Sequence, residues 1–405
     1  MRALPHPPKY LRVLASPVLI FAAALGMRLA LMAHLLTAFG AATFYLHNEC
    51  AHIASSLVSG AGYSSPWDNM PIAPTAQQPP LYPLLLAGIF RAFGAYSRLS
   101  AIAALAINAV AGAATAVLLL FVGERSLHDR ISAVLAAWVM ALWPYEAIVS
   151  LELWSQALAA LMLVGFLWLL ASARSERNRC GLGLGVYGGA GALLNPALLA
   201  PMVCGFVAKA RLTRRSWLVL AGFVLVLSPW AVRNFVVFGR FIPLRDNFGF
   251  ELWVGNHAGL PLRHPVDFRG AFPISDLRQA NFDELAFISR KTQQAKQYIL
   301  ERPGEFARRC AWRVLEFWIT PGYWLAISLL AWAGAVLAWP RDKSFLLILL
   351  TFPLVYYLTH VWPNYRYPIE PVMILMAAFA VVNAVNSCRK FASRKYRVAA
   401  IASSK

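Results

Sequence analysis

The sequence predicts an all-α polytopic membrane protein of about ten transmembrane helices with two large outer loops. Three observations carry that prediction. First, 59% of the 405 residues are hydrophobic and only 14% are charged. A soluble domain carries about 45–50% apolar and about 25% charged residues. The same figures exclude a disordered chain, which is poor in apolar residues. Second, apolar runs approaching the roughly 20 residues of a span recur along the whole chain. Third, the net charge of +19 is gathered into short clusters between those runs. These are Arg174/Arg177/Arg179, Lys209/Arg211/Arg214/Arg215 and Arg389/Lys390/Arg394/Lys395/Arg397. Clusters of that kind orient membrane spans. The expected partner is the lipid bilayer, and no nucleic acid is implied.

Spans fall at about 14–36, 98–121, 131–147, 151–172, 181–194, 196–209, 216–233, 322–339, 344–360 and 369–387. The fifth and sixth are short and meet at Asn195-Pro196, where a proline ends or kinks a helix. Charge favours counting them separately. With ten spans, residues 1–13, 122–130, 173–180, 210–215, 340–343 and 388–405 lie inside. They hold just over half of the 37 Lys and Arg but only 4 of the 18 Asp and Glu. Merging the two spans would move Lys209–Arg215 outside, against the positive-inside rule. The expectation is a single transmembrane domain over 1–405, in the plasma (inner) membrane, with both termini cytoplasmic. Arg2, Lys9 and Arg12 before Val13–Gly26 resemble a signal peptide, but no small-residue cleavage site follows. The first span is read as retained.

Two long segments stay outside, 37–97 and 234–321, and outer loops of that size are uncommon unless functional. In the first, Asn48 can cap a short helix over 49–59 that ends at Gly60 and Gly62. Cys50, Ile53 and Leu57 form its apolar stripe, and Glu49, His52 and Ser56 a polar one. The segment after Pro79-Pro80 makes a second apolar helix, too short to span and suited to the interface. In the second loop, 257–282 is rich in Pro, Gly and Arg and reads as irregular. Residues 283–300 read as a helix with Leu285, Ile288, Thr292, Ala295 and Ile299 on one stripe. Pro303 separates it from an amphipathic helix carrying Phe306, Cys310, Val314 and Phe317. Of the five cysteines, Cys50 and Cys310 share the outer side, where a disulfide between them is permitted.

Ionisable groups near the membrane are costly and are functional candidates by default. The acidic ones are Glu49, Glu146, Glu152, Glu251 and Glu370; for Glu146 and Glu152 a capping or snorkelling role is the plainer reading. The basic ones are Arg28, Arg91, Arg233, Arg245 and Arg366. An arginine at the interface can clamp a phosphate with two hydrogen bonds. His47, His52, His257 and His264 match no tight ligand spacing, so no metal is indicated, although a divalent ion is compatible with the composition.

In order along the chain, Glu49, Gly60-Ala61-Gly62-Tyr63, Pro79–Ala87 and Phe93-Gly94 resemble the first outer loop of GT-C class membrane glycosyltransferases. Protein mannosyltransferases and lipid A aminoarabinose transferases are the nearest group. The Pro-Trp-x-x-Arg-Asn of 229–234 and the Arg-Tyr-x-x-Pro of 366–371 are similar as well. One departure is visible: where the family often shows Asp-Glu, this chain has Asn48-Glu49.

That resemblance implies a GT-C-like fold and transfer of a sugar from a polyprenyl-phosphate donor to an envelope acceptor (lipid, glycan or protein) on the outer face. It implies Glu49 as the base that deprotonates the acceptor. Arg366 and Arg233, with Arg245 behind them, are expected to hold the departing phosphate. His52, Tyr82 and Glu251 complete the expected substrate-facing set. No nucleotide is required, consistent with the lack of a P-loop or GxGxxG run. The alternatives are a non-catalytic partner in envelope polysaccharide assembly and a lipid or sugar flippase or transporter. The latter would show paired repeats, and none is visible.

Overall fold

The computed structural model describes residues 9–39, 48–67, 71–172, 178–209, 214–260, 274–319, 322 and 324–402. Among them there is no β-strand beyond one isolated bridge between Ser64 and Pro74. The predicted all-α class holds. His47, His264, Arg174, Arg177 and Arg211 lie outside the described residues.

The helices are α1 (Lys9–Leu14), α2 (Pro17–Phe39), α3 (Glu49–Val58), α4 (Leu81–Phe93) and α5 (Arg98–Val122). There follow α6 (Arg130–Leu142), α7 (Pro144–Ser150), α8 (Gln156–Ser172), α9 (Asn178–Leu194) and α10 (Leu199–Lys209). Next come α11 (Arg214–Phe238), α12 (Phe248–Gly255), α13 (Ile274–Gln279), α14 (Glu284–Glu301) and α15 (Pro303–Ile319). The chain closes with α16 (Trp324–Ala338), α17 (Ser344–Thr351), α18 (Leu354–Leu358) and α19 (Glu370–Ala402).

Four helices are long and apolar enough to cross a membrane: Pro17–Ala38, Arg98–Leu127, Arg214–Phe238 and Pro363–Ser393. Two bent pairs, α6 with α7 and α15 with α16, raise that to six if each pair is one span. The predicted count of about ten is not reached by length. The other apolar stretches form helices of 10–17 residues, including Gln156–Ser172, Gly181–Leu194, Pro196–Lys209 and Ser344–Leu358. Prolines account for several of the breaks. Pro144 starts α7 after a 62° bend. At Asn195-Pro196 the asparagine side chain accepts from the Ala197 amide and starts a new turn.

The largest core is built from α2, α5, α6, α8, α16 and α19 and is rich in alanine. Small residues let these helices approach closely, because lipid supplies no hydrophobic drive between them. A Cβ on Gly334 would run into the Met376 carbonyl of α19, and one on Gly222 into the Leu182 carbonyl of α9. Arg28 of α2 is fully buried here. Its guanidinium donates to the Ser150 hydroxyl at 3.1 Å and to the carbonyls of Ala24 and Met140 at 3.0 and 3.2 Å. Glu146, expected as a capping or snorkelling carboxylate, is also fully buried. It lies within electrostatic reach of Glu370, Arg28 and Arg366. Among the described residues neither of its carboxylate oxygens has a hydrogen-bond partner.

A second group of helices packs on this bundle. Helices α3 and α4 pack on α5 through Cys50, Ala54, Tyr82, Leu86, Phe90 and Leu105. Cys50 and Ile53 of the predicted apolar stripe are buried, together with Ala51 and Ala54, whereas Leu57 is only half-buried. The second loop is less irregular than expected, since α13 lies within 257–282. On α14 the packed face is rotated from the predicted stripe: Glu284, Phe287, Ile288, Lys291, Ala295 and Tyr298 are buried. The charged members can turn inward because each has a partner. Lys291 pairs with Asp276 at 2.6 Å and lies 3.5 Å from the centre of the Trp253 ring. Cys50 and Cys310 are both free, so the disulfide permitted by their shared side does not form.

Candidate functional site

The site grows from the start of α3. The Asn48 side chain accepts from the Ala51 amide at 3.0 Å, capping the helix, and donates from Nδ2 to the Leu153 carbonyl at 2.9 Å. The second bond fastens α3 to the turn between α7 and α8. The same turn is held by Asn108, which donates to the Glu152 carbonyl at 2.6 Å. It is also held by Asn364, which donates to the Glu152 carboxylate at 2.6 Å. Glu49, the first residue of α3, is thereby placed by three asparagines from three parts of the chain.

The anchor explains the departure from Asp-Glu. An ionised aspartate at 48 could cap α3 but could not donate to Leu153. We expect Asn48→Asp to cost about 1–3 kcal/mol through the orphaned carbonyl. Thermal unfolding checks this, and an unchanged midpoint would show that the Leu153 bond contributes nothing.

Glu49 is half-buried. Burial pushes its carboxyl up from the usual range, its own backbone amide pulls it down, Glu251 pushes it up and Arg245 pulls it down. Residues of the second outer loop therefore face the first. Glu251 of α12 accepts from Asn247 Nδ2 at 3.0 Å, and its other oxygen lies 3.6 Å from His360 Nε2. His360 Nε2 is also 3.2 Å from the Tyr365 hydroxyl. Tyr365 stacks at a tilt on Tyr356, with ring centres 5.0 Å apart. Glu49, Arg245 and Glu251 all act electrostatically on Tyr365. Glu49, Arg245, Glu251, His360, Tyr356 and Tyr365 thus form one polar cluster where the two outer loops meet the segment before α19.

The expected site residues divide sharply. Glu49, Arg245 and Glu251 come together. Among the described residues Arg245 is engaged by no hydrogen bond or ion pair. Arg233 is engaged fully: it donates to the carbonyls of Thr75 at 2.7 Å and Tyr63 at 2.9 Å. It also lies over the rings of Tyr63, Trp230 and Phe238, stapling the first loop to the end of α11. Arg366 is turned into the protein. It donates to Glu370 at 2.9 Å and to the Phe317 carbonyl at 2.6 Å, and stacks 4.5 Å from the Trp324 ring centre. Both arginines are engaged by protein groups, while among the described residues Arg366 Nη2 has no hydrogen-bond partner. Tyr82 is buried against α3 and α5. His52 meets the Tyr96 hydroxyl at 3.1 Å through Nδ1, on the side of α3 toward the α4–α5 turn.

His360, Tyr356 and Tyr365 were missed in the sequence. They sit in an apolar run and an aromatic-rich interface segment, where such residues read as a belt. Among the described residues no group of three or more His, Cys, Asp and Glu could hold a metal ion.

Behind Arg245, Asp246 faces Glu284. Glu284 accepts from the Thr75 hydroxyl and from the Ala76 amide at 2.7 Å, latching the first loop to α14. Burial, then the charge of Asp246, hold Glu284 well above the carboxylate range despite those donors. Burial pushes Asp246 up from 3.8 to about 6. A folded-state pKa above the unfolded one means stabilisation that is complete below the unfolded value and lost as pH rises through the folded value. We expect wild type and Asp246→Asn to unfold alike in acid, and wild type to become progressively the less stable of the two as pH rises from 3.8 to about 6. A difference in midpoint that does not vary with pH would refute this linkage.

The apo oligosaccharyltransferase of Archaeoglobus fulgidus matches with a TM-score of 0.54, at 13% identity over 94% of this chain and 52% of its own length. The oligosaccharyltransferase AglB of the same organism, in complex with an inhibitory peptide and a dolichol-phosphate, gives 0.51 at 12% identity, over 94% and 52%. The chain adopts the GT-C fold. ArnT from Cupriavidus metallidurans, bound to undecaprenyl phosphate, gives 0.49 at 13% identity, over 90% of this chain and 59% of ArnT. The chain thus spans little more than half the length of these GT-C structures. No protein-family model and no curated protein matches the sequence.

Proposed function

We propose that this chain is a membrane glycosyltransferase that moves a sugar from a polyprenyl-phosphate donor to an acceptor on the outer face. The observation that carries the reading is the convergence of Glu49 from the first outer loop with Arg245 and Glu251 from the second, on a GT-C fold. The AglB structure was solved with a dolichol-phosphate, a lipid of the proposed donor class.

In this reading Glu49 takes the proton of the acceptor nucleophile, whose freed electron pair attacks the anomeric carbon. The bond between that carbon and the phosphate oxygen breaks, and the lipid phosphate leaves with its electrons. Arg245 faces the negative charge that develops on it; preorganised cations at such a point are a large source of catalysis. A carboxylate raised toward neutrality is better matched to this proton transfer than one at the ordinary value. A single displacement inverts the sugar carbon. Glu251, bonded to Asn247 and 3.6 Å from His360, orients the reactants. Holding both substrates in line supplies much of the remaining acceleration.

The test uses the purified protein in detergent with polyprenyl-phosphate sugars extracted from the native membrane. Mass spectrometry follows release of free polyprenyl phosphate. Release by wild type and not by Glu49→Gln is expected, and the donor consumed names the sugar. Equal release by both, or by neither in the presence of the membrane's own acceptors, would overturn the reading.

A further inference from the structure

Asp246 and Glu284 form a buried acid pair that the proposed transfer chemistry does not use, and three parts of the chain meet on it. Glu284 starts α14 and is 5% exposed. One of its oxygens accepts from the Thr75 hydroxyl and the other from the Ala76 amide. The Asp246 amide donates to the Ala76 carbonyl at 3.2 Å. The Asp246 side chain faces the Glu284 carboxyl. Among the described residues no other group donates to its two buried oxygens. If both acids were ionised they would repel each other, and the Asp246 oxygens would have no donor at all. One proton held between them cancels the repulsion and supplies the missing hydrogen bond.

The pair sits beside the cation of the candidate site. Arg245 lies between two backbone anchors. On one side the Leu244 carbonyl accepts from Trp230 Nε1 at 2.6 Å. On the other the Asp246 amide is held by Ala76. Residues 75–76 are held in turn by Glu284 and by Arg233 of α11, which donates to the Thr75 carbonyl. Losing the Glu284 bonds therefore loosens the Ala76 carbonyl and, with it, one of the two anchors of Arg245. Other charged groups also face the pair. Arg245 acts on Asp246, and Arg233 and Tyr63 act with Glu284. Arg240, Lys296 and Glu301 line the open groove that Asp246 borders. Burial outweighs the cations and holds both carboxyls above the ordinary range.

We propose that a proton shared by Asp246 and Glu284 is a latch that joins residues 75–76, residues 242–246 and α14 and so positions Arg245, and that its loss at higher pH switches the site off. Both acids titrate above their ordinary values in the folded chain, so closure is complete in acid and is lost as pH rises through the folded values. Glu49 then sets the acid limb of activity and the pair sets the alkaline limb. The effect on turnover rests on the transferase reading; the latch itself does not.

The experiment compares wild type with Asp246→Asn, purified in detergent, from about pH 5 to about pH 9. An asparagine at 246 donates to Glu284 through its amide and has no proton to lose, so this variant stays latched. Hydrogen–deuterium exchange read by mass spectrometry follows peptides covering 73–78 and 242–248. Comparing the two proteins at each pH cancels the chemical dependence of exchange on pH. The two should exchange alike in acid. Wild type should then become the faster, by up to about tenfold for each pH unit beyond the loss of the shared proton. Donor consumption at the same pH values should show an alkaline limb in wild type that is absent or moved to higher pH in Asp246→Asn, with the acid limb common to both. An exchange ratio that does not change with pH would overturn the latch, whatever the activity. Latch opening in wild type with the same alkaline limb in both proteins would overturn its link to Arg245. Latch opening in wild type with no donor consumed by either protein would support the latch and count against the transferase reading.

Discussion

Glu49→Gln is expected to lower transfer by about 10²–10⁴-fold, the usual contribution of a positioned general base. The fold should survive, because the cap of α3 belongs to Asn48 and not to Glu49. Unchanged thermal unfolding beside lost turnover is the expected pair of results. A wild-type rate would remove Glu49 from the mechanism. The pH profile adds a sharper test. The base works only when ionised, so activity falls as pH drops through its pKa. Burial raises that pKa, so the acid limb should lie above the ordinary carboxylate range. Glu251 raises it further and Arg245 lowers it. Glu251→Gln should therefore move the acid limb to lower pH, and Arg245→Gln should move it to higher pH. Shifts in the same direction for both variants would show that the limb belongs to another group.

Much of the fold was legible in the sequence because composition and charge clusters act over long stretches. The all-α class and the short helices at 49–59 and 81–93 followed from periodicity and polarity. The count of spans did not, because Pro144 and Pro196 cut apolar runs into helices too short to judge by length. The packed face of α14 was misread for a different reason. Lys291 and Glu284 are polar in any sequence pattern, and only their partners Asp276, Trp253, Thr75 and Ala76 make burial tolerable.

In the site, Glu49, Arg245 and Glu251 were identifiable as charged residues of the two long segments between spans. Nothing in their spacing shows that they meet, since they come from loops some two hundred residues apart. The roles of the arginines were separable only in three dimensions. Arg233, Arg245 and Arg366 look alike as cations at the outer interface. Arg233 is held by carbonyls and rings and Arg366 by Glu370, a carbonyl and a ring, whereas Arg245 acts on Glu49. His360 and Tyr365 lay hidden in aromatic segments for the same reason: their significance is in what they touch.

Arg366→Met is expected to be the most destabilising substitution among the charged residues. Arg366 and Glu370 are one helical turn apart and both buried, with Glu146 and Arg28 close by. Removing one partner of a buried pair leaves the other charge uncompensated, which costs about 3–5 kcal/mol. Here the Phe317 carbonyl also loses its donor, and the Trp324 ring its cation. Replacing both members by apolar residues of similar size is often neutral. The double variant Arg366→Met/Glu370→Met should therefore recover part of the thermal stability lost in Arg366→Met. That recovery separates two roles. If Arg366 only holds α19 against α15 and α16, donor consumption returns with the fold. If it also binds the donor phosphate, the double variant folds and stays inactive. No loss of stability in Arg366→Met would show that the pair contributes little, and Glu146 with Arg28 would then have to account for the burial of these charges.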